Sequence, residues 1–139
     1  MENEYSNKLD KFLFKEIKDL KDLCIVEFGV REGISTKKFL ECCKKNNGKL
    51  YSIDIDDCSG VTTDKNWTFL KSRDDNFKYL DEKLPKMFDV ILIDSFHNAS
   101  HVKKILFHYY KKLKPGGLLF IDDVCWLPYL KNNYRNHFN

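Results

Sequence analysis

The sequence predicts an α/β fold: a doubly wound, mainly parallel five-stranded sheet with helices on both faces. Three observations predict it. Five short apolar runs alternate with segments of helical periodicity along the 139 residues. Most of these runs are apolar at consecutive positions, which is typical of strands buried on both faces of a parallel sheet. A turn that contains Gly29 and Gly33 joins the first run to the helix that follows it.

The whole chain, residues 1–139, is expected to form one domain. An N-terminal helix is predicted within residues 1–22, the α/β core over residues 23–124, and the start of a further helix over residues 125–139. No repeat, low-complexity tract or linker interrupts this order.

The composition excludes several classes of partner. A content of 42% hydrophobic and 32% charged residues is that of a globular protein. The net charge is only +3 and the lysines are spread along the chain, so we expect no nucleic-acid partner. No apolar run reaches membrane-spanning length, so we expect no membrane partner. The five cysteines form no C-x-x-C pair, which indicates reduced thiols in a cytoplasmic protein rather than a zinc site.

The N-terminal helix is predicted from the spacing of its apolar residues. Between about residues 3 and 23 these residues recur at intervals of three and four among lysines and acids, so one face should be buried. The apolar set is Leu9, Phe12, Leu13, Ile17 and Leu20.

The strands and helices of the core then alternate. The apolar runs predict the strands Cys24–Val30, Lys49–Asp56, Trp67–Lys71, Phe88–Asp94 and Leu118–Asp122. Helical spacing predicts the helices Gly33–Lys45, Asp75–Leu84 and Ala99–Leu113. Asn47 and Gly48 follow the first of these helices, and Pro85 ends the second. The Lys114–Gly117 segment is predicted to be a tight turn before the last strand.

The turn after the first strand carries a specific pattern, Glu27-x-Gly29-x-x-x-Gly33. Glycines let a backbone approach a ligand closely, and the start of a helix offers unpaired N–H groups, so the turn indicates a nucleotide-type site. The spacing differs from the G-x-G-x-x-G of dinucleotide turns. Glu27 could order the loop or meet the positively charged end of a cofactor.

Acidic residues follow four of the predicted strands: Glu27, Asp54 with Asp56, Asp94, and Asp122 with Asp123. Ligands bind at the carboxyl ends of parallel strands, so we expect these acids to converge there. A single acid in such a place is often only a helix cap or turn former.

Residues after the second and third strands fit the two halves of a nucleoside. Asp54 ends the second strand, where a carboxylate can accept hydrogen bonds from both hydroxyls of a ribose. Its alternative role is to cap the following loop. Ser72 and Asp74 follow the third strand, where an adenine edge would pass.

The acids after the fourth and fifth strands form a second group. Asp94, Asp122 and Asp123 offer the oxygen ligands that Mg²⁺ prefers, although they could equally lie in solvent beside lysines. His97 follows three residues after Asp94 and is a candidate general base, or else a surface imidazole. His101, one helical turn further, could be a second ligand or be exposed.

Together these motifs resemble the class I S-adenosylmethionine (SAM) dependent methyltransferases, specifically the small-molecule O-methyltransferases that include cephalosporin hydroxylase-like proteins. The likeness runs from about Leu23 to Trp126. It depends on four segments: Glu27–Ser35, Tyr51–Asp54, Phe88–His97 and Leu113–Asp123.

The resemblance implies a Rossmann-like fold and O-methylation of a small hydroxylated acceptor with SAM as the methyl donor. It implies SAM contacts at seven positions: Glu27, Gly29, Gly33, Ser35, Asp54, Ser72 and Asp74. It also implies that Asp94, Asp122 and Asp123 hold Mg²⁺ while His97 and Asp94 act in catalysis. The family more usually has Glu at the first position of the last acidic pair, where this chain has the shorter Asp122.

The sequence departs from the family at its C-terminal end. The family fold continues past the fifth strand with a helix and an antiparallel hairpin, whereas this sequence ends at Asn139. A truncation, a partner chain or second copy that covers the exposed sheet edge, and a reduced domain would each account for this.

Two other functions remain open. One is a non-catalytic SAM-binding or assembly module of the same fold. The other is an NAD-dependent oxidoreductase, which the absence of G-x-G-x-x-G and of a Tyr-x-x-x-Lys motif disfavours.

Overall fold

The computed structural model of the protein describes residues 3–124 and contains one five-stranded sheet. Its strands lie in the order β3-β2-β1-β4-β5, and every neighbouring pair is parallel. The strands are β1 (Cys24–Phe28), β2 (Lys49–Asp54), β3 (Trp67–Lys71), β4 (Phe88–Ile93) and β5 (Leu113–Ile121). The strand order reverses between β1 and β4: β2 and β3 follow β1 on one side, and β5 follows β4 on the other. Ligands are therefore expected outside the carboxyl ends of β1 and β4. The predicted fold class is confirmed.

The helices connect the strands as the sequence predicts. They are α1 (Glu4–Leu9), a π-helical segment (Asp10–Phe14), α2 (Lys15–Ile17), α3 (Ile34–Asn46), α4 (Phe77–Lys83) and α5 (Ala99–Tyr109). Short 3₁₀ turns at Ser59–Val61 and Tyr110–Lys112 complete the described elements. None of the helices in this part of the chain is long and apolar enough to cross a membrane.

Two hydrophobic cores lie on opposite faces of the sheet because side chains alternate along each strand. Ile25 of β1 packs with α1, α2 and α3, whereas Val26 and Phe28 pack with α4 and α5. The rings of Phe28 and Tyr109 meet with centroids 4.5 Å apart. Helices therefore cover both faces of the sheet, and the carboxyl ends of the strands form one shared edge.

The prediction for the N-terminal helix was wrong in its phase. Leu9, Leu13 and Ile17 are buried, but Phe12 is 56% exposed and Phe14 is buried instead. The π-helical turn at Asp10–Phe14 contains more residues per turn than an α-helix, so the buried face shifts from one side chain to the next. Leu20, also predicted to be buried, is exposed beyond the end of α2.

The prediction for the start of the fifth strand was also wrong. Residues 114–117 lie inside β5 rather than in a turn before it, and they form an irregular bulge. Phe88 pairs with Leu113 and Val90 with Leu118, so four residues of β5 lie opposite the single residue between them in β4. Gly116 permits this bulge because its φ is +77°.

Several expectations lie at or beyond the limits of the described region. Within residues 3–124 no antiparallel hairpin follows β5, and β5 is an edge of the described sheet. The helix predicted to begin in residues 125–139 lies outside the described residues, as does Cys125. The four described cysteines are free thiols: Cys24, Cys42, Cys43 and Cys58. Cover of the β5 edge by a partner chain or a second copy stays a prediction.

Candidate functional site

The turn after β1 is a tight backbone crossing that depends on glycine. Gly29, Arg31 and Gly33 all have positive φ angles, of 98°, 50° and 77°. A Cβ atom on Gly29 would lie 2.1 Å from the carbonyl oxygen of Asp94, and one on Gly33 would lie 2.3 Å from Cγ1 of Val61. Gly29 therefore lets the end of β1 lie directly against the end of β4.

Glu27 is fully buried beneath this turn and ties it to the sheet. The Ser35 hydroxyl donates to Oε1 of Glu27, and the hydroxyls of Thr36 and Ser52 donate to Oε2 at 2.8 and 2.7 Å. Burial raises the pKa of Glu27 to about 7, although these three hydrogen bonds act in the opposite direction. Its contacts match the role of ordering the loop and the start of α3.

Asp54 also organises the turn, from the end of β2. Its Oδ2 accepts hydrogen bonds from the backbone N–H groups of Val30 at 2.7 Å and Arg31 at 3.2 Å, and its Oδ1 accepts one from Asp56 at 3.0 Å. Burial acts to raise the pKa of Asp54, but these backbone donors outweigh it and lower the pKa below its usual value. Asp54 is therefore an ionised group held by backbone amides at the strand end.

A cavity of about 430 Å³ opens beside Asp54, and we call it the larger cavity. It runs along the ends of β1, β2, β3 and β4. Five of the predicted site residues line it: Gly29, Asp54, Ser72, Asp74 and Asp94. Two exposed apolar side chains, Ile55 and Phe96, lie at its walls. Its lining combines an apolar surface with a few polar groups, as is usual for small-molecule sites.

Asp74 has partners in the larger cavity that the sequence did not reveal. Its Oδ1 lies 2.8 Å from Nε2 of His101, and the Ser95 hydroxyl donates to its Oδ2. The Tyr109 hydroxyl donates to the Asp74 carbonyl at 3.3 Å. His101 is thus largely buried and pairs with Asp74 rather than with a predicted metal ligand. It connects α5 to the loop after β3.

A second cavity, of about 310 Å³, lies on the other side of the Gly29 turn, and we call it the smaller cavity. Four further predicted site residues line it: Ser35, His97, Asp122 and Asp123. Gly29, Arg31 and Asp94 line both cavities, so the two meet there. Glu27 and Gly33 line neither of them, and their predicted contact with a cofactor stays a prediction.

Asp94 stands at the junction of the two cavities, in a partly buried position. The Tyr5 hydroxyl from α1 donates a hydrogen bond to its Oδ2. Nε2 of His97 lies 3.6 Å from Oδ1 of Asp94 and 3.6 Å from Oδ2 of Asp123. Burial first, and then the charge of Asp122, raise the pKa of Asp94 to about 6. The Asp94 carboxyl and the His97 imidazole therefore face the smaller cavity together.

Lys8 of α1 lies between the last two acids. Its Nζ is 2.5 Å from Oδ1 of Asp122 and 3.5 Å from Oδ1 of Asp123. Burial acts to lower the pKa of Lys8, but its hydrogen bond to Asp122 and the charges of both acids raise it. The ammonium is consequently positively charged at neutral pH.

The three acids predicted to hold Mg²⁺ are brought together, but their geometry does not fit a metal site. Within residues 3–124, no group of three or more His, Cys, Asp and Glu side chains has the arrangement of a metal centre. Tyr5 donates to Asp94, and Lys8 contacts one carboxylate oxygen each of Asp122 and Asp123. The predicted magnesium ligands are therefore a set of carboxylates already paired with donors from α1.

Sequence reasoning missed Tyr5, Lys8 and Ser95 as members of these sites, and it named His101 as a second ligand or an exposed residue rather than as the partner of Asp74. Tyr5 and Lys8 come from a helix more than 85 positions away in the chain from the acids that they contact. Their spacing of three residues places both on one helix face, which was the only signal available. Nothing in that spacing indicates which acids the face would meet.

Comparison with known proteins establishes the family. A family model described as a methyltransferase domain matches residues 26–124. The chain belongs to this methyltransferase family. A search of curated proteins finds no matching sequence. The matched region begins within β1 and covers the glycine turn, Asp54, and the acids after β4 and β5, so it contains all the predicted site residues and lacks Tyr5 and Lys8 of α1.

Solved methyltransferase structures share the fold of this family member. CalS11, a TDP-rhamnose 3′-O-methyltransferase of calicheamicin biosynthesis, has a TM-score of 0.64 and 16% identity, covering 86% of this chain and 62% of that one. A putative caffeoyl-CoA O-methyltransferase from Staphylococcus aureus has a TM-score of 0.61 and 20% identity, covering 88% and 58%. The methyltransferase PaMTH1 from Podospora anserina, solved with S-adenosylhomocysteine, has a TM-score of 0.68 and 15% identity, covering 89% and 59%.

The methyltransferase-family chain spans about six tenths of the length of these solved structures. At such identities the likeness shows a common fold. It also agrees with the Rossmann-like architecture that the motifs predicted.

Proposed function

We propose that this chain binds the nucleoside of SAM in the larger cavity, holds its amino-acid end at the start of α3, and transfers its methyl group to a hydroxyl of a small acceptor in the smaller cavity. The observation that carries the proposal is the junction of the two cavities at Gly29 and Asp94. A donor bound on one side of this junction and an acceptor bound on the other side would meet within one continuous space. The family match supports methyl transfer as the reaction.

The larger cavity suits the nucleoside of SAM. The Asp54 carboxylate lies at its wall and can accept hydrogen bonds from a ribose diol while it keeps its backbone donors. Ser72 and Asp74 lie at the far side, beside the apolar side chains of Ile55 and Phe96, where an adenine could lie. Gly29 removes the side chain that would block a close approach to the turn.

The start of α3 suits the amino-acid end of the cofactor. No side chain caps this helix N-terminus, and Ser35 of its first turn lines the smaller cavity. Helix N-terminal N–H groups bind carboxylates, and here they would face the space beside the Gly29 turn. Bound SAM supplies an electrophilic methyl group on its sulfonium sulfur.

His97 is the group we assign to receive the proton of the acceptor hydroxyl. Its imidazole faces the smaller cavity with Asp94 and Asp123 each 3.6 Å from Nε2. A nearby carboxylate orients an imidazole and stabilises the imidazolium that forms when it accepts a proton. Asp94 supports this transfer from the junction, and its raised pKa lets it share the proton near neutral pH.

Metal assistance is not part of this proposal. Asp94, Asp122 and Asp123 have the oxygen atoms that Mg²⁺ prefers, but Tyr5 and Lys8 already pair with them. We therefore derive no step through a metal ion.

A methyl-transfer assay tests the proposal. The wild-type protein is incubated with methyl-labelled SAM and a panel of sugars, polyols and catechols, and labelled product is measured. We expect labelled product with at least one acceptor, and we expect His97→Asn to lower kcat by about 10² to 10⁴. The matched control is His108→Asn, since His108 pairs with Asp81 on the outer side of α5 and lines neither cavity.

The affinity for S-adenosylhomocysteine separates the possible outcomes. It should be the same in wild type and in His97→Asn, because His97 does not line the larger cavity. Binding of S-adenosylhomocysteine without methyl transfer to any acceptor would instead favour the non-catalytic module. Unchanged kcat in His97→Asn would overturn the assignment of the base.

A further inference from the structure

The shortest hydrogen-bond and ion-pair contacts to Asp94, Asp122 and Asp123 come from one short stretch of α1. Tyr5 donates to Asp94, and Lys8 contacts Asp122 and Asp123. Tyr5 and Lys8 are three residues apart, so they lie on the same face of the helix. The face that carries these two polar groups is therefore the face that closes over the strand ends.

The helix is held in this position by its own cap and core contacts. The Asn3 side chain accepts hydrogen bonds from the N–H groups of Tyr5 and Ser6 at 3.0 and 3.3 Å, which fixes the first turn. Leu9 and Leu13 are buried in the core between this region and α3. Lys8 is consequently presented to the acids by packed structure, and its side chain is only 39% exposed.

The charges explain why a cation is needed there. His97 Nε2 lies 3.6 Å from carboxylate oxygens of both Asp94 and Asp123, and Lys8 contacts both Asp122 and Asp123, so the three acids share one small space. Partly buried acids that repel one another require a positive partner or must take up protons. Lys8 is positioned to supply that positive charge at hydrogen-bond distance from Asp122.

We propose that the Lys8 ammonium occupies the position of a divalent cation between Asp122 and Asp123, so that this site works without a metal ion. Lys8 is then a positioning residue, which holds the two carboxylates in place beside His97. The replacement of a cation by Lys8 follows from the contacts of Lys8 with Asp122 and Asp123 alone. Catalysis without a metal ion rests, in addition, on the proposed function.

Removing the ammonium should expose a latent cation site. In Lys8→Met the carboxylates of Asp122 and Asp123 lose their positive partner and are free to turn towards a cation, so we expect the variant to gain affinity for Mn²⁺. The probe is MnCl₂ alone, added to the full chain and followed by electron paramagnetic resonance of the free ion. Wild type should show no binding tighter than about 1 mM, the weak end of protein sites for divalent cations. Lys8→Met should bind at least roughly tenfold more tightly, a change of about 1.4 kcal/mol.

Three controls distinguish a specific site from a change in net charge or in folding. Lys15→Met removes an exposed lysine of α2 and should bind Mn²⁺ no better than wild type. Lys8→Arg keeps the charge and should also remain without Mn²⁺ binding. Adding Asp122→Asn to Lys8→Met should abolish the gained affinity. A circular dichroism melt establishes that each variant is folded.

The opposite results would overturn the proposal. These are Mn²⁺ binding by wild type well below 1 mM, or a folded Lys8→Met that gains no Mn²⁺ affinity. The wild-type titration decides the matter even where Lys8→Met does not fold. This readout uses neither SAM nor an acceptor, so it is independent of the proposed function. If the proposed function is wrong, the wild type will not bind S-adenosylhomocysteine, whatever its Mn²⁺ results.

Discussion

The two cavities hold their carboxylates in opposite ways. In the larger cavity, Asp54 is held by backbone N–H groups of the neighbouring turn, and its pKa is lowered. In the smaller cavity, Asp94 is held by the Tyr5 hydroxyl and repelled by other acids, and its pKa is raised to about 6. The first arrangement is complete within the βαβ unit. The second needs a helix from outside that unit, so the two halves of the site should respond differently to substitution.

The change with the largest expected effect removes the junction of the two cavities. In Gly29→Ala, the new Cβ would lie 2.1 Å from the Asp94 carbonyl oxygen, at a backbone φ of 98° that side chains rarely adopt. We expect a loss of about 3 kcal/mol or more in the free energy of unfolding, measured by urea denaturation. S-adenosylhomocysteine binding should be lost as well, because the larger cavity is lined by this turn.

Gly60→Ala is the matched control for this comparison. A Cβ on Gly60 meets nothing within 4 Å. Its free energy of unfolding should stay within about 0.5 kcal/mol of wild type. Equal stability of Gly29→Ala and Gly60→Ala would show that the close approach of β1 and β4 is wrongly described.

The buried Glu27, which lines neither cavity, gives the stability of the protein a pH dependence. Its pKa of about 7 in the folded protein is above the usual 4.5, so the native state holds a proton that the unfolded chain releases. This contribution is fully present below about pH 4.5 and is lost as the pH rises towards 7, at a cost of about 3 kcal/mol.

Glu27→Gln should remove most of this dependence. Urea unfolding of wild type should show stability falling between about pH 5 and pH 8, and the variant should show a flatter profile. The slope that remains at lower pH is expected from Asp94, whose pKa is also raised. Glu41→Gln, an exposed change on α3, should keep the wild-type profile. Parallel profiles for wild type and Glu27→Gln would contradict this account of the buried carboxyl.

A smaller effect is expected from a change confined to the larger cavity. Asp54→Asn keeps the size of the side chain but removes one of the two carboxylate oxygens that can accept hydrogen bonds. We expect affinity for S-adenosylhomocysteine to fall by about 10- to 100-fold, measured by calorimetric titration. Asp57→Asn, in the exposed loop that follows, should leave the affinity unchanged. Weakening by both variants alike would mean that only net charge matters.

The positions of several residues at the larger cavity could be predicted because these residues follow local rules. A strand that ends in an acid, and a glycine turn that precedes a helix, place Gly29, Asp54 and Asp94 at one edge once the sheet is parallel. Ser72 and Asp74 follow by the same rule at the end of β3. None of these placements requires knowledge of how distant helices pack.

The smaller cavity could be predicted only in part. His97, Asp122 and Asp123 reach it by the same local rule, but Tyr5 and Lys8 enter through the packing of α1 over the strand ends. That packing depends on the phase of the N-terminal helix. The π-helical turn changes the phase by burying Phe14 in place of Phe12, and no apolar pattern signals it.

The bulge in β5 escaped prediction for a similar reason. Lys114–Gly117 has the composition of a tight turn, and its local chemistry favours one. Pairing of Leu113 with Phe88 instead draws the segment into the sheet. A tertiary contact therefore overrides the turn preference, as it does for the phase of the N-terminal helix.

Calorimetric titration of the wild-type chain with S-adenosylhomocysteine, followed by competition with SAM and by a separate titration with NADH, tests the central claim most directly. We expect one binding site for S-adenosylhomocysteine, competition by SAM for that site, and no heat on titration with NADH. No heat with S-adenosylhomocysteine or SAM, together with binding of NADH, would contradict the central claim.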